Sequence, residues 1–171
     1  MQRVLVAGIS GAGKTTIAIK IEKRLGLPRY ELDALCHGPE WVKRPEFEED
    51  VGRFVVESRW VCEDQYHNYI GDLLWGYADT VVWLDLPRRT VIWRVLRRSL
   101  WRVTTRQRLW NDNRETWRAM FFSPTHPARW AWTQHHRRRQ ETVDRIARHP
   151  QVTVVCLTSA LEAKRWVSTL M

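Results

Sequence analysis

The segment Gly8-Ile-Ser-Gly-Ala-Gly-Lys-Thr15 limits what this chain can fold into more than any other feature. It satisfies the spacing G-x-x-x-x-G-K-[ST]. A short apolar run, Arg3-Val-Leu-Val-Ala-Gly8, precedes it, and a helical pattern over Thr15–Leu25 follows, with Ile17, Ile21 and Leu25 on one face. Ordinary glycine and lysine frequencies would produce the spacing by chance in under roughly one per cent of chains of this length. Glycines let the backbone curl with its N–H groups pointing inward, and a helix N-terminus adds partial positive charge, so strand, loop and helix together cradle a phosphate. The residues expected to line that cradle are Gly8, Ser10, Gly11, Ala12, Gly13, Lys14, Thr15 and Thr16. Lys14 is expected to reach the β- and γ-phosphates, and the Thr15 hydroxyl to ligate magnesium, which makes ATP and Mg2+ the expected cofactors.

The rest of the chain alternates between strand and helix patterns. Gly26 and Pro28 end the first helix, and Arg29-Tyr-Glu-Leu-Asp33 reads as a second strand or its exit loop. Pro45–Ser58 carries a helical pattern with Pro at a suitable first position, and Trp60–Glu63 and Thr80–Asp85 read as buried strands. Helical segments are expected across Arg88–Trp101, Glu115–Phe122 and Arg129–Arg148, then a strand over Gln151–Cys156 and a helix over Leu161–Leu170. Strands alternating with helices imply βαβ units and a mainly parallel sheet covered on both faces. With 171 residues and no linker-like tract, a single domain is expected.

Three cysteines far apart, Cys36, Cys62 and Cys156, with no CxxC spacing, exclude a disulfide framework or structural zinc site. The chain opens without the apolar stretch of a signal peptide and holds no run long enough to span a membrane, so a cytoplasmic protein is expected.

Carboxylates sit near the strand ends, where open α/β sheets place their ligand crevice. Asp33 is a candidate to orient or deprotonate an acceptor hydroxyl. Glu63 and Asp64 are candidates to hold magnesium through water, and Asp85 is a rival for that role. An acid at such a position also serves often as a simple helix cap.

The charge of +9 is concentrated. Residues 88–148 hold 16 Arg and no Lys against four acids (Asp112, Glu115, Glu141, Asp144), a local +12, while the remainder of the chain is −3. Such a segment is expected to face an anion: nucleotide phosphates, a phosphorylated product, nucleic acid or an acidic membrane. Arg94, Arg98 and Arg102 recur at i, i+4, i+8, joined by Arg106, Arg108, Arg114 and Arg118, a pattern that suits a lid over a triphosphate. Tryptophans at 93, 101, 110, 117, 130 and 132 either pack that segment or stack on bases, packing being the usual role. His135 and His136 are expected to be solvated residues on a helix.

Several of these stretches together resemble a family. Gly8–Thr15, Leu27-Pro-x-Tyr-x-Leu-Asp33, Trp60-Val-x-x-x-x-Tyr66, Ala78-Asp-Thr-Val-Val-Trp-Leu-Asp-Leu-Pro-Arg88, Trp93-Arg-Val-Leu-Arg-Arg98 and Trp130-Ala-Trp132 followed by Arg137-Arg-Arg139 are similar to the adenylate-kinase-related P-loop proteins labelled "DNA topology modulation" proteins. The resemblance implies a nucleoside-monophosphate-kinase fold with five parallel strands ordered 2-3-1-4-5 and a mobile lid, here within 88–148. It also implies a Walker-B-like role for Glu63, an arginine against adenine at Arg94, and phosphate contact at Arg98. The catalytic set expected on this basis is Lys14, Asp33, Arg94 and Arg98, with Thr15 and Glu63 at the metal. Where the family usually reads Asp-Gly-Asn-Tyr, this chain has Glu63-Asp-Gln-Tyr66, a longer carboxylate and no glycine. Neither the AMP-site signature of adenylate kinases nor the triple glycine of shikimate kinases is present, so AMP and shikimate are not the expected acceptors.

Two functions from different classes follow. The first is an ATP-dependent kinase acting on a hydroxyl or phosphate of a small molecule or nucleotide. The second is a nucleic-acid-binding protein that uses ATP as a switch, or a kinase of nucleic-acid ends, drawing on the arginine- and tryptophan-rich segment.

Overall fold

Val4, Leu5 and Val6 have no solvent exposure, as a strand covered on both faces requires, and they form the middle of the sheet. The computed structural model describes residues 1–38, 42–105 and 127–170. Strands β1 (Arg3–Ala7), β2 (Arg29–Tyr30), β3 (Trp60–Glu63), β4 (Thr80–Leu84) and β5 (Thr153–Leu157) pair in parallel in the order β2-β3-β1-β4-β5. The expected strand order is therefore the observed one. Val6 of β1 stands opposite Glu63 on one side and Val82 on the other. That register brings the loop after β1 and the carboxylate ending β3 to the same edge of the sheet.

Side-chain alternation along the central strands builds two cores. Val4, Val6, Val82 and Leu84 face helices α1 (Lys14–Leu25), α6 (Arg88–Thr104) and α8 (Ala160–Thr169), which bring Ile17, Ile21, Val91, Val95, Ala163 and Val167. Leu5, Ala7, Val81 and Trp83 face the opposite way. There they meet α2 (Leu32–Cys36), α3 (Phe47–Val55) and α5 (Leu73–Tyr77), with Val143 and Ile146 of α7 (Pro127–Arg148) at the margin. Trp60 and Trp75 are fully buried on this second face, each burial worth about 2–3 kcal/mol. The Trp60 indole N–H donates to Val55 O at 3.1 Å and the Trp75 indole N–H to Asp64 Oδ1 at 3.0 Å, so neither polar end is stranded.

Several boundaries differ from the sequence expectations. The second strand stops after Tyr30, because as an edge strand it pairs only with β3; Asp33 lies instead on the short helix α2. Pro45 and Glu46 form a turn, and helix α3 starts at Phe47. Between β3 and β4 run two short helices that no periodicity announced, α4 (His67–Ile70) and α5. The long helix α7 begins at Pro127, where a missing N–H costs nothing, rather than at Arg129. Strand β5 is shifted to Thr153–Leu157 by its pairing with β4, and as the far edge it leaves Thr153 and Cys156 exposed. The expected helix over 115–122, Trp110, Trp117, Arg106, Arg108, Arg114 and Arg118 lie outside the described residues, as do the side chains of Arg102 and Trp130.

Candidate active site

The Gly8–Thr15 loop leaves β1 and turns into α1 with left-handed backbone at Gly11 (φ 87°) and Gly13 (φ 101°). Only glycine adopts such angles without cost. At Gly11 space forbids anything larger as well, because a Cβ would lie 2.3 Å from Val95 Cγ2 and 3.1 Å from Val91 O. The loop is thus clamped by α6 on its outer side. Arg94 Nη1 of the same helix donates to Ala12 O at 2.9 Å, which sets that guanidinium against the phosphate cradle.

Lys14 is buried and folds back so that Nζ donates to Gly8 O at 2.9 Å. Burial lowers its pKa from the ordinary lysine value, and the carboxylates of Glu63, Asp64 and Asp33 pull the other way. Thr15 Oγ1 donates to Glu63 Oε2 at 3.1 Å, and Gln65 Nε2 donates to the same oxygen at 3.3 Å. Burial raises the Glu63 pKa above the ordinary carboxylate value, against the pull of Lys14 and Thr15.

The three rivals for the metal side are separated by their partners. Asp64 is taken up by the Trp75 indole and by His67 Nε2 at 3.2 Å. Asp85 is taken up by Arg139, whose Nε donates to both carboxylate oxygens at 3.0 and 2.9 Å. Glu63 alone of the three touches Thr15 among the described residues. A hydroxyl and a carboxylate in contact beside a phosphate loop are hard oxygen donors of the kind magnesium takes, few enough to leave its other positions to water and phosphate. Among the described residues no group of three or more His, Cys, Asp or Glu forms a metal cage.

Asp33, from α2, enters the same cavity, which is lined by the phosphate loop, Glu63–Tyr69, Trp83–Leu86, Arg94, Arg98, His135, Arg138, Arg139 and Arg145, and encloses about 1000 Å³. All four residues expected to do chemistry, Lys14, Asp33, Arg94 and Arg98, therefore border one space. Asp33 accepts a hydrogen bond from the Tyr66 phenol, which also lies 2.8 Å from His37 Nε2. Tyr66 is left-handed (φ 59°), a conformation costing a non-glycine residue about 1–2 kcal/mol. Tyr66 and Gln65 stand in the sequence motifs without an expected role, and His37 stands in none. The signal for Tyr66 was its place in Trp60-Val-x-x-x-x-Tyr66, three residues after Glu63.

The arginine segment is more structured than its charge suggested. Arg137 and Arg138 pair with Glu141, Arg139 with Asp85, and Arg145 and Arg148 with Asp72. His135, expected to be solvated, is buried, with Nε2 3.0 Å from Leu86 O, because α7 packs over the end of β4; His136 is exposed. Trp93, Trp101 and Trp132 do not pack as helical tryptophans usually do: they are 67%, 65% and 53% exposed, and Arg88 lies 3.6 Å over the Trp132 ring.

A phosphate loop at the carboxyl edge of β1, in a parallel sheet of this order, defines the fold of the small-molecule P-loop kinases. Among solved structures, the chain is similar to shikimate kinase from Acinetobacter baumannii, solved in complex with shikimate (TM-score 0.59, 12% identity, 98% of this chain and 89% of that one). It is likewise similar to a gluconokinase from Sinorhizobium meliloti 1021 (TM-score 0.50, 16% identity, 99% of this chain and 93% of that one). No family model matches the chain and no curated protein does, so the resemblance to the "DNA topology modulation" proteins stays at the level of motifs. At these identities the likeness is one of fold and brings no acceptor with it.

Proposed function

We propose that this protein is an ATP-dependent phosphotransferase that moves the γ-phosphoryl group of ATP to a hydroxyl or phosphate of a small molecule or nucleotide. The observation that carries the reading is the contact between Thr15 and Glu63 on a phosphate loop whose cavity also holds Asp33. The backbone of Gly8, Ser10, Gly11, Ala12, Gly13, Thr15 and Thr16 cradles the phosphates, with Lys14 on the β- and γ-oxygens. Thr15 and, through water, Glu63 would hold magnesium, which would supply positive charge beside the transferring group. Asp33 takes the acceptor's proton as the new O–P bond forms and the bond to ADP breaks. Arg94 and Arg98 cover the phosphates from α6 as part of a lid within 88–148, and residues 1–171 act as one kinase unit.

The alternative of a nucleic-acid surface draws on the same arginines, yet five of them in α7 are already engaged by acids. No helix among the described residues is long and apolar enough to cross a membrane. Three free cysteines suit a reducing compartment, the cytoplasm.

The test is a screen of ATP consumption against nucleotides, sugars, cofactor precursors and oligonucleotide ends, with Lys14→Ala as control. One compound class should accelerate turnover, and Lys14→Ala should weaken ATP binding by about 1.5–3 kcal/mol, the worth of a charge-assisted contact. Equal ATP affinity in wild type and Lys14→Ala overturns the reading.

A further inference from the structure

Tyr66 is the one described non-glycine residue with a positive φ. Residues held in such a conformation persist where the surroundings over-determine them, and they cluster at sites where a side chain must be aimed. What aims this one is visible in its contacts. The ring meets Phe47 edge-on at 5.3 Å and lies near-parallel to Tyr69 at 6.3 Å. Its hydroxyl ends among three side chains, Asp33 and Cys36 of α2 and His37 just past the end of that helix.

Counting donors orders this cluster. A phenol has one proton to give and two lone pairs to accept with. The carboxylate of Asp33 only accepts, so the Tyr66 proton goes to Asp33 Oδ1. His37 must then donate to the phenol oxygen through Nε2–H. Burial, followed by the charge of Asp33, raises the Tyr66 pKa far above the ordinary value, so the phenol keeps its proton. The remaining oxygen, Oδ2, receives no hydrogen bond from the described residues, and Asp33 borders the phosphate cavity. The charged groups around the cluster are Lys14 and Glu63 on the side of Asp33, Lys43 and Glu48 on the side of Cys36, and Asp33 itself.

We propose that Tyr66 is a positioning residue for Asp33: it occupies Oδ1 as a permanent donor and so presents Oδ2 to the acceptor hydroxyl. The inference rests on the reading of Asp33 as the base. In the transfer step the acceptor O–H proton passes to Oδ2 while the acceptor oxygen bonds to phosphorus and the bond to ADP breaks; Tyr66 keeps its own proton throughout. The chain His37 Nε2–H, Tyr66 O–H, Asp33 Oδ1 has a single direction, which holds the carboxylate plane fixed. Tyr66 thereby acquires a role that its place in a motif had not assigned.

The experiment compares wild type, Tyr66→Phe and Asp33→Asn, with water as the phosphoryl acceptor and ATP hydrolysis as the rate. Tyr66→Phe keeps the ring against Phe47 and Tyr69, and it should lower kcat about tenfold with KM for ATP unchanged. Asp33→Asn should lower kcat further, again at unchanged KM. Two spectroscopic arms need no turnover. Long-range proton–nitrogen NMR should show His37 as the Nε2–H tautomer in wild type and not in Tyr66→Phe. The Tyr66 phenol should stay un-ionised where ordinary tyrosines titrate, near pH 10, and should titrate at lower pH in Asp33→Asn. Full kcat in Tyr66→Phe beside a slowed Asp33→Asn makes Tyr66 a packing residue and overturns the proposal. Full kcat in both variants overturns the base reading of Asp33 and this inference with it, while ATP binding through Lys14 remains separately tested. A wild-type Tyr66 that titrates like any tyrosine overturns it on its own.

Discussion

Thr15 Oγ1 donates to Glu63 Oε2 across 3.1 Å, joining the first turn of α1 to the last residue of β3. The two residues are 48 positions apart in sequence, and the parallel pairing of β1 with β3 brings them together by setting Val6 opposite Glu63. If this pair is the protein's share of a magnesium site, Glu63→Gln keeps the shape and removes the charge. The magnesium activation curve of ATP turnover should then move to about tenfold higher concentration, a loss of about 1.4 kcal/mol. A superimposable curve would take Glu63 out of the metal site.

Gly11 is expected to tolerate no side chain. In Gly11→Ala the new Cβ meets Val95 Cγ2 at 2.3 Å, on a backbone with φ 87°. Strain and overpacking together should destabilise the protein by about 2–4 kcal/mol. Thermal melts check this, and adding Val95→Ala should recover the steric part only. A melting temperature equal to wild type would mean that α6 yields where it is described as packed.

Asp72 ties α7 to the turn before α5. Burial works to raise its pKa, but the Arg145 hydrogen bond and charge, with Arg148 and His149, outweigh it and hold the carboxyl below the ordinary 3.8. A depressed carboxylate contributes stability that is fully present above its unfolded value and is lost as pH falls through the folded one. Asp72→Asn should therefore destabilise by about 1–2 kcal/mol at pH 7. The gap to wild type should close as pH drops below about 4. Denaturant midpoints at pH 7, 5 and 3 measure it, and a gap independent of pH contradicts the ion pair.

The arginines should not be equivalent. Arg94 reaches the phosphate loop itself, whereas Arg137 is 75% exposed and, among the described residues, pairs only with Glu141. Arg94→Ala should lower ATP use by roughly tenfold or more. Arg137→Ala should leave it unchanged, and stability within about 1 kcal/mol. Arg145→Ala and Arg148→Ala should act through stability rather than ATP, because Asp72 holds both. A flat ATP profile across all four, with oligonucleotide binding that weakens linearly in log salt, would favour the nucleic-acid function instead.

The phosphate loop and the alternation of strands with long helices were legible in the sequence. Gly8–Thr15 announced a strand, loop and helix because glycine spacing and the apolar run before it are short-range conditions, met within about fifteen residues. The alternation of buried strands and amphipathic helices announced a parallel sheet for the same reason. The strand order came through resemblance and is the order found. Periodicity failed where elements are too short to show a period, as at α4 and α5, and where pairing rather than propensity sets the boundary, as at β2 and β5.

The site divides the same way. The residues alone offered Glu63, Asp64 and Asp85, each at or just past the end of a buried strand, and the resemblance preferred Glu63. The folded chain separates them by contact, giving Asp64 to Trp75, Asp85 to Arg139 and Glu63 to Thr15. Charge counting likewise described residues 88–148 as a single +12 field, because a sum over sequence cannot see which acid each arginine meets. The chain's own residues determined which loop would curl between strand and helix in the shape of a phosphate cradle. Which carboxylate touches Thr15, and which hydroxyl steadies Asp33, depended on contacts between residues 11 to 54 positions apart, and packing of the whole sheet decides those.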